Sequence, residues 1–205
     1  MIPFHLTTSE YRFLRSLNTP RKIQDFLETV PANEGGKDTC HSPRSVLLHK
    51  QAHCIEGAML AALALRLNGF PPLIVDMESS AHDLDHVIAV YQCRGRWGSI
   101  SKTNHAVLRY RDPVYTSLRE LVMSYFHEYT DDDGRKTLRT FSHPVDLSRF
   151  DHREWMTAKK DVWFVPEHLL RIRHFPLLER SRIALLRRQD PIEKVVGKMR
   201  QWPIN

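Results

Sequence analysis

The chain has 205 residues, 41% of them hydrophobic and 26% charged, with a net charge of +6. That is long enough to bury a sizeable core and too apolar for a disordered chain. Its apolar runs stop short of the ~18–20 residues of a membrane span, it opens on no basic-then-apolar leader, and Cys40, Cys54 and Cys93 make neither a disulfide framework nor a zinc site.

The first expected helix runs from a Ser9 cap to Leu17, with Phe13, Leu14 and Leu17 on one side. A second begins at Thr19-Pro20, where proline suits the first turn, and carries Ile23, Phe26, Leu27 and Val30 as its apolar stripe. A polar loop, "PANEGGKDTCHSPRS", follows, and "VLLHKQAH" leads into a helix over Cys54–Leu67. There Met59, Leu60, Leu63, Ala64 and Leu67 recur at three- and four-residue spacing, and the many alanines allow close packing from all sides. Asn68-Gly69 supplies the stop. "PPLIVDME", "HVIAVYQC" and "RWGSIS" read as three strands, the last two a hairpin turning at Arg94-Gly95-Arg96. This places His86 and Ser101 on neighbouring strands. "HAVLRYRDPVY" is extended before Asp112-Pro113. "TSLRELVMSYFHEY" is an amphipathic helix with Ser117 and Glu120 as a capping box, and Asp133-Gly134 is a hairpin turn. From "DHREW" onward the pattern reads as helix to the end. Helices, a small antiparallel sheet and helices again make an α+β chain, one domain over 1–205. Its core covers about 45–105, with helical additions at 1–44 and 150–205.

The positive charge gathers late, where Arg171, Arg173, Arg180, Arg182, Arg187 and Arg188 are interleaved with Leu and Ile. This raises nucleic-acid or anionic-partner binding, against which a solvated helical face is the commoner meaning. No aromatic RNA-binding signature or recognition-helix pattern accompanies these arginines. Histidines 41, 49, 53, 82 and 105 are too scattered for a metal site, so neither metal nor cofactor is expected.

Cys54 is the residue with chemistry. A thiolate is the nucleophile, and both a helix N-terminus and a neighbouring imidazolium favour it over the thiol. His86 opens a strand just after the one that follows the Cys54 helix. "HCIEGAMLAALALRLNGFPPLIVDM", "DHVIAVY" and "GRWGSISKT" together resemble the transglutaminase-like superfamily of papain-type cysteine enzymes. The likeness covers roughly residues 45–105 and puts the family's Cys on Cys54, its His on His86 and its Trp on Trp97. It implies a papain-like core in which Cys54 attacks an acyl carbonyl and His86 carries the proton. The family's triad aspartate falls on Ser101, a neutral residue, and its Pro-Thr on Lys102-Thr103. Ser101 or Asn104 is therefore expected to orient His86, while Asp85 points away along its strand and Asp112 lies beyond the hairpin. The backbone N–H of Cys54 and the side chain of Gln51 are the expected oxyanion donors.

The reading is a cytoplasmic, cofactor-free thiol hydrolase or acyltransferase acting on a protein, peptide or small acyl substrate, with no membrane partner. The alternative is a non-catalytic relative that keeps the pocket to bind a peptide or an anionic partner.

Overall fold

The computed structural model describes residues 2–33, 38–81 and 83–202. Helices α1 (Thr8–Ser16), α2 (Pro20–Glu28) and α3 (Pro43–His49) lead into α4 (Cys54–Leu67). The strands are β1 (Leu73–Glu78), β2 (His86–Cys93), β3 (Arg96–Ile100), β4 (Arg111–Tyr115), β5 (Thr140–Ser142), β6 (Val145–Asp146) and β7 (His174–Pro176). Helix α5 (Leu118–Met123) follows β4, a 3-10 helix (Leu147–Arg153) follows β6, and α6 (Phe164–Leu169) precedes β7. Two further helices, α7 (Arg180–Ile183) and α8 (Pro191–Lys198), complete the order. The strands form one open, antiparallel sheet in the order β4-β3-β2-β1-β5-β7, with β6 also paired to β1. The chain is thus mixed helix and sheet, an α+β arrangement. No helix among the described residues is long and apolar enough to cross a membrane.

Period-two alternation separates two apolar layers. Ile74, Val87, Ala89, Tyr91 and Ile100 pack with α4, whereas Val75, Met77, Ile88 and Val90 face Leu121, Val122, Tyr125, Phe126 and Tyr129 on the other side. Helix α4 lies against α1, α2 and α3 as well as β1 and β2, and twelve of its fourteen residues are buried. An alanine-rich helix suits that position, because neighbours can approach on every side. Arg66, one of the two exceptions, makes a paired hydrogen bond to Asp151 at 2.7 Å from each of two nitrogens. The helix stops as its sequence implies: the Asn68 side-chain Nδ2 donates to the carbonyls of Leu14, Leu17 and Ala64, and Gly69 takes φ 92°. The β2–β3 turn has positive φ at both Arg94 and Gly95, the twist a two-residue hairpin favours.

Several local expectations are corrected. The first helix is capped by Thr7, not Ser9, because Thr7 and Glu10 exchange backbone-to-side-chain bonds at 2.7 and 3.2 Å. A helix over Pro43–His49, capped by Ser42, stands in the segment leading to α4. Ser117 caps α5, but the Glu120 carboxylate turns to the Thr116 N–H (2.6 Å), so no capping box forms. That helix also ends six residues before Tyr129, where Ser124 Oγ donates back to the Leu121 carbonyl (2.6 Å). The end of the chain is not one run of helix. Proline at 176 is incompatible with a helix interior, and His174–Pro176 instead pairs with β5 as the sheet's edge. The six late arginines consequently share no helical stripe; all are exposed, spread over loops and α7. The Gly35-Gly36 part of the predicted loop lies outside the described residues.

On β7, His174 sits between two acids of β1, with Nε2 3.2 Å from Asp76 Oδ2 and Nδ1 3.5 Å from Glu78 Oε1. Its Nδ1 also lies 3.1 Å from the Ile172 carbonyl. Both ring nitrogens therefore face protein oxygens, which ties the edge strand to the centre of the sheet.

Candidate functional site

The start of α4 is fixed by contacts the helix cannot make within itself. The approach, Gln51–His53, runs beside Pro31–Asn33, with Ala52 N–H on the Pro31 carbonyl (3.1 Å) and Asn33 N–H on the Ala52 carbonyl (3.2 Å). His53 is extended as the N-cap, and its N–H donates to Glu56 Oε2 at 3.0 Å. Cys54 is then the first helical residue, at the positive end of the helix dipole. Its N–H is one of those without an intrahelical acceptor.

Two imidazoles reach the thiol. His86, at the head of β2, and His53, the neighbour in sequence, line the same cleft as Cys54, where both favour hydrogen bonding to its thiolate. Burial by itself pushes the thiol up, but those bonds and the charge of both rings outweigh it and bring Cys54 down to about 5. His53 responds in the opposite sense. Burial pushes it down, and its hydrogen bond with Cys54, the charges of Cys54 and Glu56 and the Thr39 carbonyl raise it to about 9. Cys40 contrasts with both: fully buried, it is pushed up to about 12 by desolvation first and by nearby carboxylates second.

On its far side His86 meets Ser101, with Nε2 2.8 Å from Oγ. The tautomer follows from what Ser101 does with its single proton. That hydroxyl donates to the Leu108 carbonyl at 2.5 Å, so toward His86 it can only accept. Nε2 therefore carries the hydrogen, and Nδ1 is left for the thiol. Ser101 is itself clamped by Gln24 of α2, whose Oε1 accepts the Ser101 N–H and whose Nε2 donates to the Ser101 carbonyl, both at 2.9 Å. One residue on, Lys102 is buried with Nζ on the Val30 carbonyl (2.6 Å) and lies directly over Gly57 of α4. A Cβ at Gly57 would sit 2.3 Å from Lys102 Cβ. Glycine there lets the strand end carrying Ser101 close onto the first turn of the Cys54 helix.

Of the residues singled out in the sequence, Cys54, His86 and Ser101 are brought together. Asn104 is placed differently: its Nδ2 donates to the Trp202 carbonyl (2.9 Å) and its Oδ1 accepts the Trp202 N–H (2.8 Å). It anchors the end of the chain rather than the ring of His86. Gln51 is exposed and is not among the residues that line the cleft. Asp85 is exposed and accepts the Ser79 N–H at 2.8 Å. Trp97 packs on the sheet face away from α4. The sequence singled out neither His53 nor Gln24 as a site residue, and Glu56, in the first turn of α4, is wholly buried. The available signal was the spacing His53-x-x-Glu56, the N-cap-to-N3 distance at which a carboxylate returns to the helix start.

Cys54, His53 and His86 open on a cleft of about 1320 Å³. Asn33 and Thr39 line it beside His53, Asp83–Asp85 beside His86, and Lys194, Lys198 and Arg200 of the C-terminal segment farther along. The volume admits a peptide segment or a small acyl compound. No family model matches the sequence, and no curated protein matches it.

Proposed function

We propose that the protein is a thiol-dependent acyl-transfer enzyme of the transglutaminase-like, papain-like type, acting on an amide, peptide or related acyl bond in the cleft. One observation carries this reading: a thiol at the first position of a helix shares a cleft with a histidine whose tautomer is set by Ser101. In the reaction, Cys54 Sγ bonds to the acyl carbon, and the oxygen charge that develops faces the Cys54 N–H. His86 delivers a proton from Nδ1 to the leaving group as the acyl–leaving-group bond breaks. The resulting thioester is resolved by water or an amine, from which Nδ1 takes a proton while Cys54 is released. Gln24 and Lys102 keep Ser101, and through it His86, in position.

The test is acyl-enzyme formation. Wild-type protein mixed with p-nitrophenyl acetate is expected to give a burst of nitrophenolate and an acetyl group on Cys54, located by peptide mass spectrometry. Cys54→Ser is expected to give neither. Absence of the adduct from wild type overturns the proposal. It leaves a non-catalytic protein that uses the cleft to hold a peptide or anionic partner, a reading favoured by the lack of charge on Ser101.

A further inference from the structure

We propose that Asp76, Glu78 and His174 form a binding site for a divalent transition ion, zinc by its ligand chemistry, which fastens the edge strand β7 to β1 across the short strand β5. None of the three lines the Cys54 cleft, and the inference is independent of the acyl-transfer reading.

The sheet brings the three side chains to one face. Asp76 and Glu78 are two residues apart on β1, so they point the same way. Strand β5 pairs with β1 at Met77 and Glu78 and with β7 as far as Ser142–His174, while β6 pairs with β1 at Leu73 and Ile74. Asp76 falls in the gap between these pairings, and its N–H donates to Ser142 Oγ (3.0 Å). With only a serine between them, His174 reaches across β5 to Asp76. One ligand atom from each of the three residues lies within 4.8 Å of the others. Asp76 Oδ2 and His174 Nε2 are 3.2 Å apart. Two ligands about 2.0–2.1 Å from a tetrahedral zinc are separated by about 3.3 Å.

The ring of His174 is oriented from outside the cluster. Its Nδ1 lies 3.1 Å from the Ile172 carbonyl, which can only accept, so Nδ1 carries a hydrogen. A metal-ligating histidine gives its other N–H to a backbone carbonyl in just this way. Nε2 and the Asp76 carboxylate then meet as two acceptors, and a cation has to stand between them. Charge favours a metal over a proton. Two carboxylates beside a neutral ring carry two negative charges, which one proton halves and a divalent ion cancels. No lysine or arginine among the described residues pairs with either carboxylate. The side chains of Asp76 and His174 are almost wholly buried, whereas that of Glu78 is 32% exposed and leaves an entry path and room for water as a fourth ligand. Glu78 is itself held by Thr140 Oγ1, which donates to its Oε2. Imidazole with two carboxylates suits zinc, whereas magnesium and calcium take all-oxygen sets.

The test is calorimetric titration of zinc chloride, at pH 7.5, into Cys54→Ser protein stripped of metal with EDTA. The serine removes a thiolate that competes for zinc. One ion per chain is expected, and no heat from magnesium. His174→Ala and Glu78→Gln in the same background are each expected to weaken zinc binding at least about tenfold. Glu78 is partly exposed, so its variant keeps the test valid if His174→Ala fails to fold. Nitrogen-15 NMR of the Cys54→Ser protein identifies the ligand atom: zinc is expected to shift His174 Nε2 while Nδ1 keeps its hydrogen. Zinc affinity that both variants leave unchanged, or an Nε2 that zinc does not shift, overturns the proposal. So does the absence of zinc binding, which leaves a proton shared between Nε2 and Asp76. None of these outcomes bears on acyl-enzyme formation at Cys54.

Discussion

Ser101→Ala separates the orientation of His86 from the activation of Cys54. The hydroxyl accepts from His86 Nε2 at 2.8 Å and donates to the Leu108 carbonyl at 2.5 Å. Alanine removes both bonds and nothing else of comparable size, because the Gln24 clamp acts on the backbone of residue 101. The bond to His86 is worth about 1–1.5 kcal/mol net, which corresponds to roughly tenfold in the preference for the Nε2–H tautomer. Turnover through the thioester is therefore expected to fall by about that factor. The partly buried Leu108 carbonyl, left without its donor, costs a further ~1–2 kcal/mol in folding. Thiolate formation rests on the charges of two imidazoles and is expected to change far less. Nitrogen-15 shifts of the neutral His86 ring read the tautomer, urea unfolding reads the stability, and iodoacetamide reads the thiolate. The reasoning is refuted if His86, once neutral, carries its single proton on Nδ1, or if Ser101→Ala leaves the tautomer ratio unchanged.

Three further outcomes are expected. Gly57→Ala would force a methyl to within 2.3 Å of Lys102 Cβ and 2.8 Å of its Cγ. A loss of ~1–3 kcal/mol in urea unfolding, with slower alkylation of Cys54, is expected, and an unchanged midpoint counts against the close approach. Asp76 is pushed up to about 6, by burial first, with His174 acting against the rise. A carboxyl raised in the folded state binds more protons there than when unfolded, so its contribution makes stability fall as pH climbs from about 4 to 6. Asp76→Asn should flatten that interval of the pH–stability curve, and a variant that tracks wild type across it would contradict the assignment. Finally, iodoacetamide at pH 6.5 should label Cys54 first and leave Cys40 untouched until the protein unfolds. Early labelling of Cys40 in folded protein would show that the buried loop before α3 opens.

Legibility in the sequence tracked how local the determining physics is. The limits of α4, β1 and β2 follow from caps, stops and apolar runs that lie within each segment, and they fall where the pattern puts them. Pairing of β2 with β3 was equally visible, because a two-residue turn with glycine leaves few alternatives. The chain beyond residue 150 was misread for a related reason. Leu, Ile and Arg at helical spacing suit a helix, but whether His174–Pro176 becomes a strand depends on an open edge at β5 and on acids of β1 about a hundred residues earlier. Likewise Glu120 had two hydroxyl neighbours available, and Thr116 competed successfully with the box at Ser117.

At the site, covalent neighbours gave less information than fold neighbours. Cys54 and His86 were expected together on the family likeness of residues 45–105, with a helix start and a strand head that could meet where helix and sheet pack. Asn104 and Ser101 were indistinguishable as orienting groups until the path after β3 was known. That path turns the Ser101 hydroxyl onto His86 and carries Asn104 on to Trp202. Gln24 was invisible for the same reason: seventy-seven residues separate it from the backbone it clamps. His53 is the instructive case, since it adjoins the nucleophile and was still set aside among scattered histidines. Adjacency in a helix usually sends side chains apart. Here His53 is not in the helix but caps it, and an extended N-cap can fold its ring back over the first turn. A buried glutamate three residues on then holds the cap: its Oε2 accepts the His53 N–H, and its Oε1 lies 3.5 Å from His53 Nε2.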